Sequence, residues 1–356
     1  MDRRFALKGL LSALGVGAFA RPAKAKEEDL IRRFGASMPT PSARRPQRTF
    51  HEVYQPFKNV ARETGKNVFL FHNLQKEIGE IEPHWQGPDP ETGEEGEGDC
   101  VGQAGALGAD ILAATEIHDL GEREKFVGKA SVEMAYAMSR VEIGGGQLNG
   151  RAGSHGEWMA RAFKEMGVLH RLKYEAGGNT LDLTGYDPGR ARQYRDKGVP
   201  DWLEAVAKEH PVRNFVNVKS GQEALDAICA RMPVLLCSSY AFEDVRGADG
   251  FANAHLAGGS TRTRTRWGWR IFQSARIQWW HAMLLTGAIL EGPRIGGIVQ
   301  NSHGKWNTGP RPYDMPEGSF GVDLDVLDLM VKDWGDCWAL SGYEGHKALT
   351  MKHRLY

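Results

Sequence analysis

Trp279-Trp280-His281-Ala282-Met283-Leu284-Leu285-Thr286-Gly287 is followed by Gly297-Ile298-Val299-Gln300-Asn301-Ser302-His303-Gly304-Lys305-Trp306. Each stretch carries an apolar run too short for a stable helix and bounded by glycine or polar residues, which predicts buried strands over 282–286 and 297–300. A histidine opens the first strand, and an asparagine ends the second. An imidazole oriented by an amide on one ring nitrogen is equipped to take a proton from a nucleophile with the other. The candidate nucleophile lies far upstream. In Gly98-Asp99-Cys100-Val101-Gly102-Gln103, Cys100 opens a small, apolar run that reaches Ile117, with Asp99 placed to cap its first turn. A thiol attacks a carbonyl as the thiolate, and a helix N-terminus combined with a nearby imidazole stabilises that form.

Around these stretches the chain divides. Helices are predicted near 131–141 and over 154–166, where Gly167 ends the pattern, and a shorter one over 221–231 precedes a strand at 233–237. The first half therefore reads as helical and the second as mainly strands, an α+β fold. The boundaries predicted are an arm or added segment over 26–75, a main domain over 76–335 with its halves meeting near 211–212, and a tail over 336–356. Within the main domain, Asp89 to Asp99 holds six carboxylates and no base, without the spacing of a calcium loop, and reads as a solvated loop.

At the N-terminus, Arg3 and Arg4 precede an apolar run from Phe5 to Ala20, and Ala23-Lys24-Ala25 supplies a small-residue cleavage site. This reads as a signal of twin-arginine type cleaved near Ala25, so the mature chain is expected to be exported; a general secretory signal and an uncleaved amphipathic arm are the other readings. The run is shorter than the roughly 20 residues a spanning helix needs.

Composition narrows the function classes. The chain has 356 residues, 41% of them hydrophobic, enough for a packed core and against disorder as the main state. Lys plus Arg equals Asp plus Glu at 45 each, so no net field draws nucleic acid or an anionic membrane. The four arginines between 261 and 270 read as an exposed hairpin rather than a nucleic-acid site. Cys100, Cys229, Cys237 and Cys337 are too few for a disulfide framework and lack the CxxC spacing of zinc sites; which of them pair, if any, stays open.

The order Cys100, His281, Asn301 resembles the papain-like cysteine peptidases, in their divergent bacterial or bacterial-virus form. There a cysteine heads the central helix, a histidine lies in a His-Ala-hydrophobic strand, and an asparagine opens an Asn-Ser-Trp-Gly turn with another tryptophan nearby, here Trp306. Ala152-Gly153-Ser154 leading to Met166-Gly167-Val168, and the segment from Gly221 to Leu236, are similar to two further passages of that family. The resemblance spans about Trp85 to Phe320. It implies a helical half carrying Cys100, a strand-rich half carrying His281 and Asn301, and a cleft between them that takes a peptide or protein substrate. Gln86 then resembles the side chain that completes the oxyanion hole, while Gly153 and Trp306 line the substrate. No metal or organic cofactor is implied.

The departures are specific. The Cys-Gly-Ser-Cys-Trp signature is missing, and His303 stands where the family has tryptophan. Cys100 and His281 are 181 residues apart, against the roughly 130 to 150 expected of papain and cathepsins. Insertions between 177 and 213 and between 238 and 280 account for the difference, and another lies before Cys100. Two alternatives follow: a protein that keeps the fold but binds or assembles instead of cutting, and a cell-wall amide hydrolase using a similar Cys-His pair.

Overall fold

The computed structural model describes residues 48–81, 97–121, 125–243, 245–256, 260–265, 268–273, 278–304 and 308–343. Helices α1 (Phe50–Val53), α2 (Val60–Thr64) and α3 (Phe71–Ile78) flank the short strand β1 (Val68–Phe69). Next come α4 (Cys100–Leu120), α5 (Val132–Met138) continued by a π-type turn over Ser139–Ile143, and α6 (Gly156–Glu165). A hairpin of β2 (Lys173–Ala176) and β3 (Asn179–Asp182) leads to α7 (Pro188–Tyr194) and α8 (Asp201–Ala207). Then follow β4 (Val212–Asn217), α9 (Gly221–Cys229), β5 (Val234–Phe242), β6 (Ala254–Leu256), β7 (Ser260–Thr265) and β8 (Gly268–Gln273). The series closes with β9 (Gln278–Ile289), β10 (Gly296–Gln300), β11 (Ser319–Asp323), α10 (Leu324–Trp334) and β12 (Asp336–Tyr343).

Helix α4 is buried on every side from Cys100 to Glu116, as a helix apolar all round must be. Small residues let it sit that deep. A side chain at Gly105 would lie 2.6 Å from Met159 Cγ of α6, and one at Gly108 would lie 3.1 Å from Leu340 Cδ1 of β12 and 3.2 Å from Leu284 Cδ1 of β9. The glycines thus set the distance between the helical layer and the sheet.

That sheet is antiparallel throughout and runs β11-β10-β9-β5. Strand β5 carries β12 beside its first half and β6, β7 and β8 beyond its second, and β12 in turn holds β4. The architecture is α+β, with the helices 100–165 on one side and most strands after residue 212, as the hydrophobic pattern predicts.

Two boundaries differ from the sequence expectation. The part of 26–75 that is described, from Arg48 onward, is not an extended arm. It folds onto the body, with Phe50, Leu70 and Phe71 fully buried, β1 paired to β9, and Asp226 of α9 accepting from Asn59 N at 3.0 Å, Ala61 N at 2.9 Å and His51 Nε2 at 2.8 Å. Its helices are so short that no periodicity marks them. Nor do residues 336–343 form a tail: they are β12, inside the sheet, with Cys337, Trp338 and Leu340 in the core. The signal-like segment 1–25 lies outside the described residues. Among those described, no helix is long and apolar enough to cross a membrane.

One buried acid ties α4 to the segment before α5. Asp110 Oδ1 accepts from Ala130 N at 2.7 Å, and burial pushes its carboxyl up to about 7. A carboxyl whose folded-state pKa is raised favours folding while protonated and loses that contribution as pH rises from its unfolded value through about 7. Between pH 5 and 8 the loss from this group is on the order of 3 kcal/mol. Asp110→Asn, which mimics the protonated acid, should flatten this fall. Urea unfolding at both pH values checks it, and parallel losses in the two proteins would exclude Asp110 as the source.

Candidate active site

Cys100 heads α4, and its sulfur meets the sheet at His281's neighbour: Ala282 N–H donates to Cys100 Sγ at 3.2 Å. A backbone N–H aimed at sulfur, added to the helix terminus, favours the thiolate. His281 lies on β9 opposite Ser238 of β5, and Asn301 follows directly on the end of β10. The two adjacent antiparallel strands bring them together, with His281 Nε2 2.8 Å from Asn301 Oδ1 and both side chains buried. An amide oxygen only accepts, so this bond fixes a proton on Nε2 and leaves Nδ1 as the basic nitrogen. Asn301 is itself held. Its Oδ1 also accepts from Ser302 N at 2.8 Å, its N–H donates to Gly318 O at 3.0 Å, and Gln300 Nε2 donates to its carbonyl at 3.1 Å.

Asp99 occupies the cap position of α4, but its carboxyl makes no capping bond to the helix backbone. It turns away, accepting from Tyr186 OH at 2.8 Å and from Gln103 Nε2 at 3.3 Å. Burial dominates and pushes this acid well above the usual carboxylate range. Burial thus works against a negative charge on this carboxyl beside the thiol. Glu97, two residues earlier, is anchored by Arg192 Nε at 3.2 Å and by Arg195.

Gly153 is buried beside this turn, at φ +98°, where glycine is favoured. Its N–H donates to Gly98 O at 3.0 Å and to Tyr136 OH at 2.8 Å, and its carbonyl accepts from Arg140 Nη1. Tyr136 OH donates in turn to Gly98 O at 3.2 Å. Both backbone polar groups of Gly153 thus serve to fix the turn before Cys100. Gln86 and Trp306 lie outside the described residues. His303, half-buried, packs its ring 4.5 Å from that of His281, tilted by 46°.

Sequence reasoning missed Arg140, Tyr136, Tyr186 and the Glu97–Arg195 pair. Asp187-Pro188, a capping residue followed by the favoured first helical residue, was the available signal that the segment after Tyr186 turns into a helix. Nothing local marks Arg140. The other three thiols differ from Cys100 in setting. Burial pushes Cys229 and Cys337 up to about 12 and Cys237 well above an ordinary thiol, so they stay protonated and inert at neutral pH. No disulfide joins any of the four cysteines.

No family model matches this chain, and neither does any curated protein sequence. Solved structures do. Xylellain, a cysteine protease from Xylella fastidiosa, aligns over 87% of this chain and 97% of its own, with a TM-score of 0.51 and 16% identity. Digestive procathepsin L2 from Tenebrio molitor aligns over 88% of this chain and 79% of its own, with a TM-score of 0.44 and 14% identity. The fold is papain-like.

Proposed function

We propose that the protein is a cysteine peptidase that hydrolyses peptide bonds through an acyl-enzyme on Cys100. The observation that carries this reading is the His281–Asn301 bond at 2.8 Å on the strand whose next N–H meets Cys100 Sγ. In the proposed cycle, His281 Nδ1 takes the thiol proton and the sulfur attacks the scissile carbonyl. His281 then returns the proton to the leaving amine, and water, deprotonated by the same ring, releases the acid and restores the thiol. Asn301 keeps the ring in register. The Cys100 N–H and Gln86 stabilise the oxyanion and Trp306 belongs to the substrate-binding rim, whereas Gly153, with both backbone groups engaged, braces the turn before Cys100. The substrate class is peptide or protein, and the Arg3-Arg4 segment supports an exported location.

A peptidyl epoxide tests the reading. It should add one equivalent by intact mass, with the label on Cys100 in the tryptic map, and peptide turnover should disappear in step. A protein that stays unlabelled while folded would be a binding module. Activity confined to cell-wall fragments would select the amide hydrolase.

A further inference from the structure

His303 carries a second imidazole into ring contact with the candidate base, at 4.5 Å between centroids, in a turn held by Asn301. We propose that His303 is a positioning residue that couples the Cys100–His281 pair to pH: neutral, it packs on His281 and supports the imidazolium; protonated, it repels it and opens the pair. This rests on the peptidase reading given above.

The argument is electrostatic. Two cationic rings at this separation oppose one another, so the pair titrates in coupled steps rather than as independent groups. An aromatic ring without a titrating nitrogen supplies the packing but never the charge. His281 on β9 is a titratable group in ring contact with His303. On the loop that returns to this turn is Glu317, ion-paired to Arg311 at 3.1 Å. That loop approaches closely, since a side chain at Gly318 would meet Gly304 O. Glu317 is thus already engaged by a cation, and the ring contact with His281 changes with His303's charge.

Protonation of His303 penalises the His281 imidazolium, because the two rings are in contact. The thiolate–imidazolium pair then becomes less populated below the pH at which His303 gains its proton, in the range of about pH 5 to 7 for an imidazole. The neutral thiol left behind is unreactive.

The test is the rate of Cys100 alkylation by iodoacetamide in the full-length protein, followed by mass from pH 4.5 to 8.5. In that step the sulfur–carbon bond forms and iodide leaves. Wild type should show an extra inflection between about pH 5 and 7. His303→Phe and His303→Gln should lack it, and the ratio of their rates at pH 5 and pH 8 should rise by about 3- to 10-fold over wild type, as a coupling of about half to one pH unit requires. Profiles of identical shape in all three folded proteins would leave His303 a packing residue and overturn the proposal. Alkylation spread over all four cysteines, with no preference for Cys100, would instead defeat the peptidase reading, so the two failures are distinguishable.

Discussion

Replacing Cys100 by alanine should abolish peptide hydrolysis and leave the fold standing. The side chain is small, so the swap removes one sulfur from a site whose walls are set by α4 and β9, at a cost of about 1 kcal/mol in stability. Activity should fall by a factor of about 10⁴ to 10⁶, because the covalent route disappears while substrate binding remains. His281→Ala should lose about as much, and the double variant no more than either single one, since residues that act as a unit are not additive. Asn301→Ala should lose far less: the amide only orients the ring, whereas the imidazole moves the proton. The measurement is kcat/KM on a fluorogenic peptide with folding verified by circular dichroism. Residual turnover above background in Cys100→Ala, or equal and total loss in His281→Ala and Asn301→Ala, would remove these roles.

Arg140 should prove the side chain on which the cysteine turn depends most for stability. It is buried, and its guanidinium reaches Arg195 O at 2.8 Å, Asp196 Oδ1 at 3.0 Å and Gly153 O, while lying 5.1 Å over the Tyr136 ring. One fork therefore ties the π-type turn to α7 and to the loop that holds Gly98. Arg140→Met keeps the length and strips every donor, leaving buried carbonyls unpaired. The expected loss is about 3 to 5 kcal/mol in urea unfolding. Arg140→Lys should recover little, because a single ammonium cannot span three acceptors in a plane. Amide exchange should quicken first around 150–154 and 195–198. A loss below about 1 kcal/mol in Arg140→Met would mean that the network is carried by other groups.

The legible part of this fold was the part written in contiguous apolar runs. Val234-Leu235-Leu236-Cys237 and Met283-Leu284-Leu285 announce buried strands because nothing polar interrupts them, and the start of α4 is marked by the change from acidic to small residues at Cys100. His281 and Asn301 could be paired from the sequence because each stands at the edge of such a run. β12 was missed because its partners lie about a hundred residues earlier, although Cys337-Trp338-Ala339-Leu340 is itself a contiguous apolar run. Asp99 illustrates a different limit. Its position predicts a cap, and local rules would place its carboxyl on the helix backbone, yet Tyr186, 87 residues away, takes it instead. The electrostatic surroundings of Cys100 are thus set largely by contacts remote in sequence.

The position of β12 governs when the molecule can first exist. It lies between β4 and β5, so β4 has no place in the sheet until residues 336–343 have emerged from the ribosome. Asp336, the first of them, also receives the N–H groups of Gly156 at 2.7 Å and Glu157 at 2.8 Å, supplying from a distant strand the cap that His155 does not provide. Helix and sheet are therefore closed by the same late residue. Such long-range closure slows folding and holds its completion until translation has passed this strand. A nascent chain already displays Cys100 and His281 but lacks the strand that completes the sheet, so chemical competence is expected only after β12 docks, in a single late step.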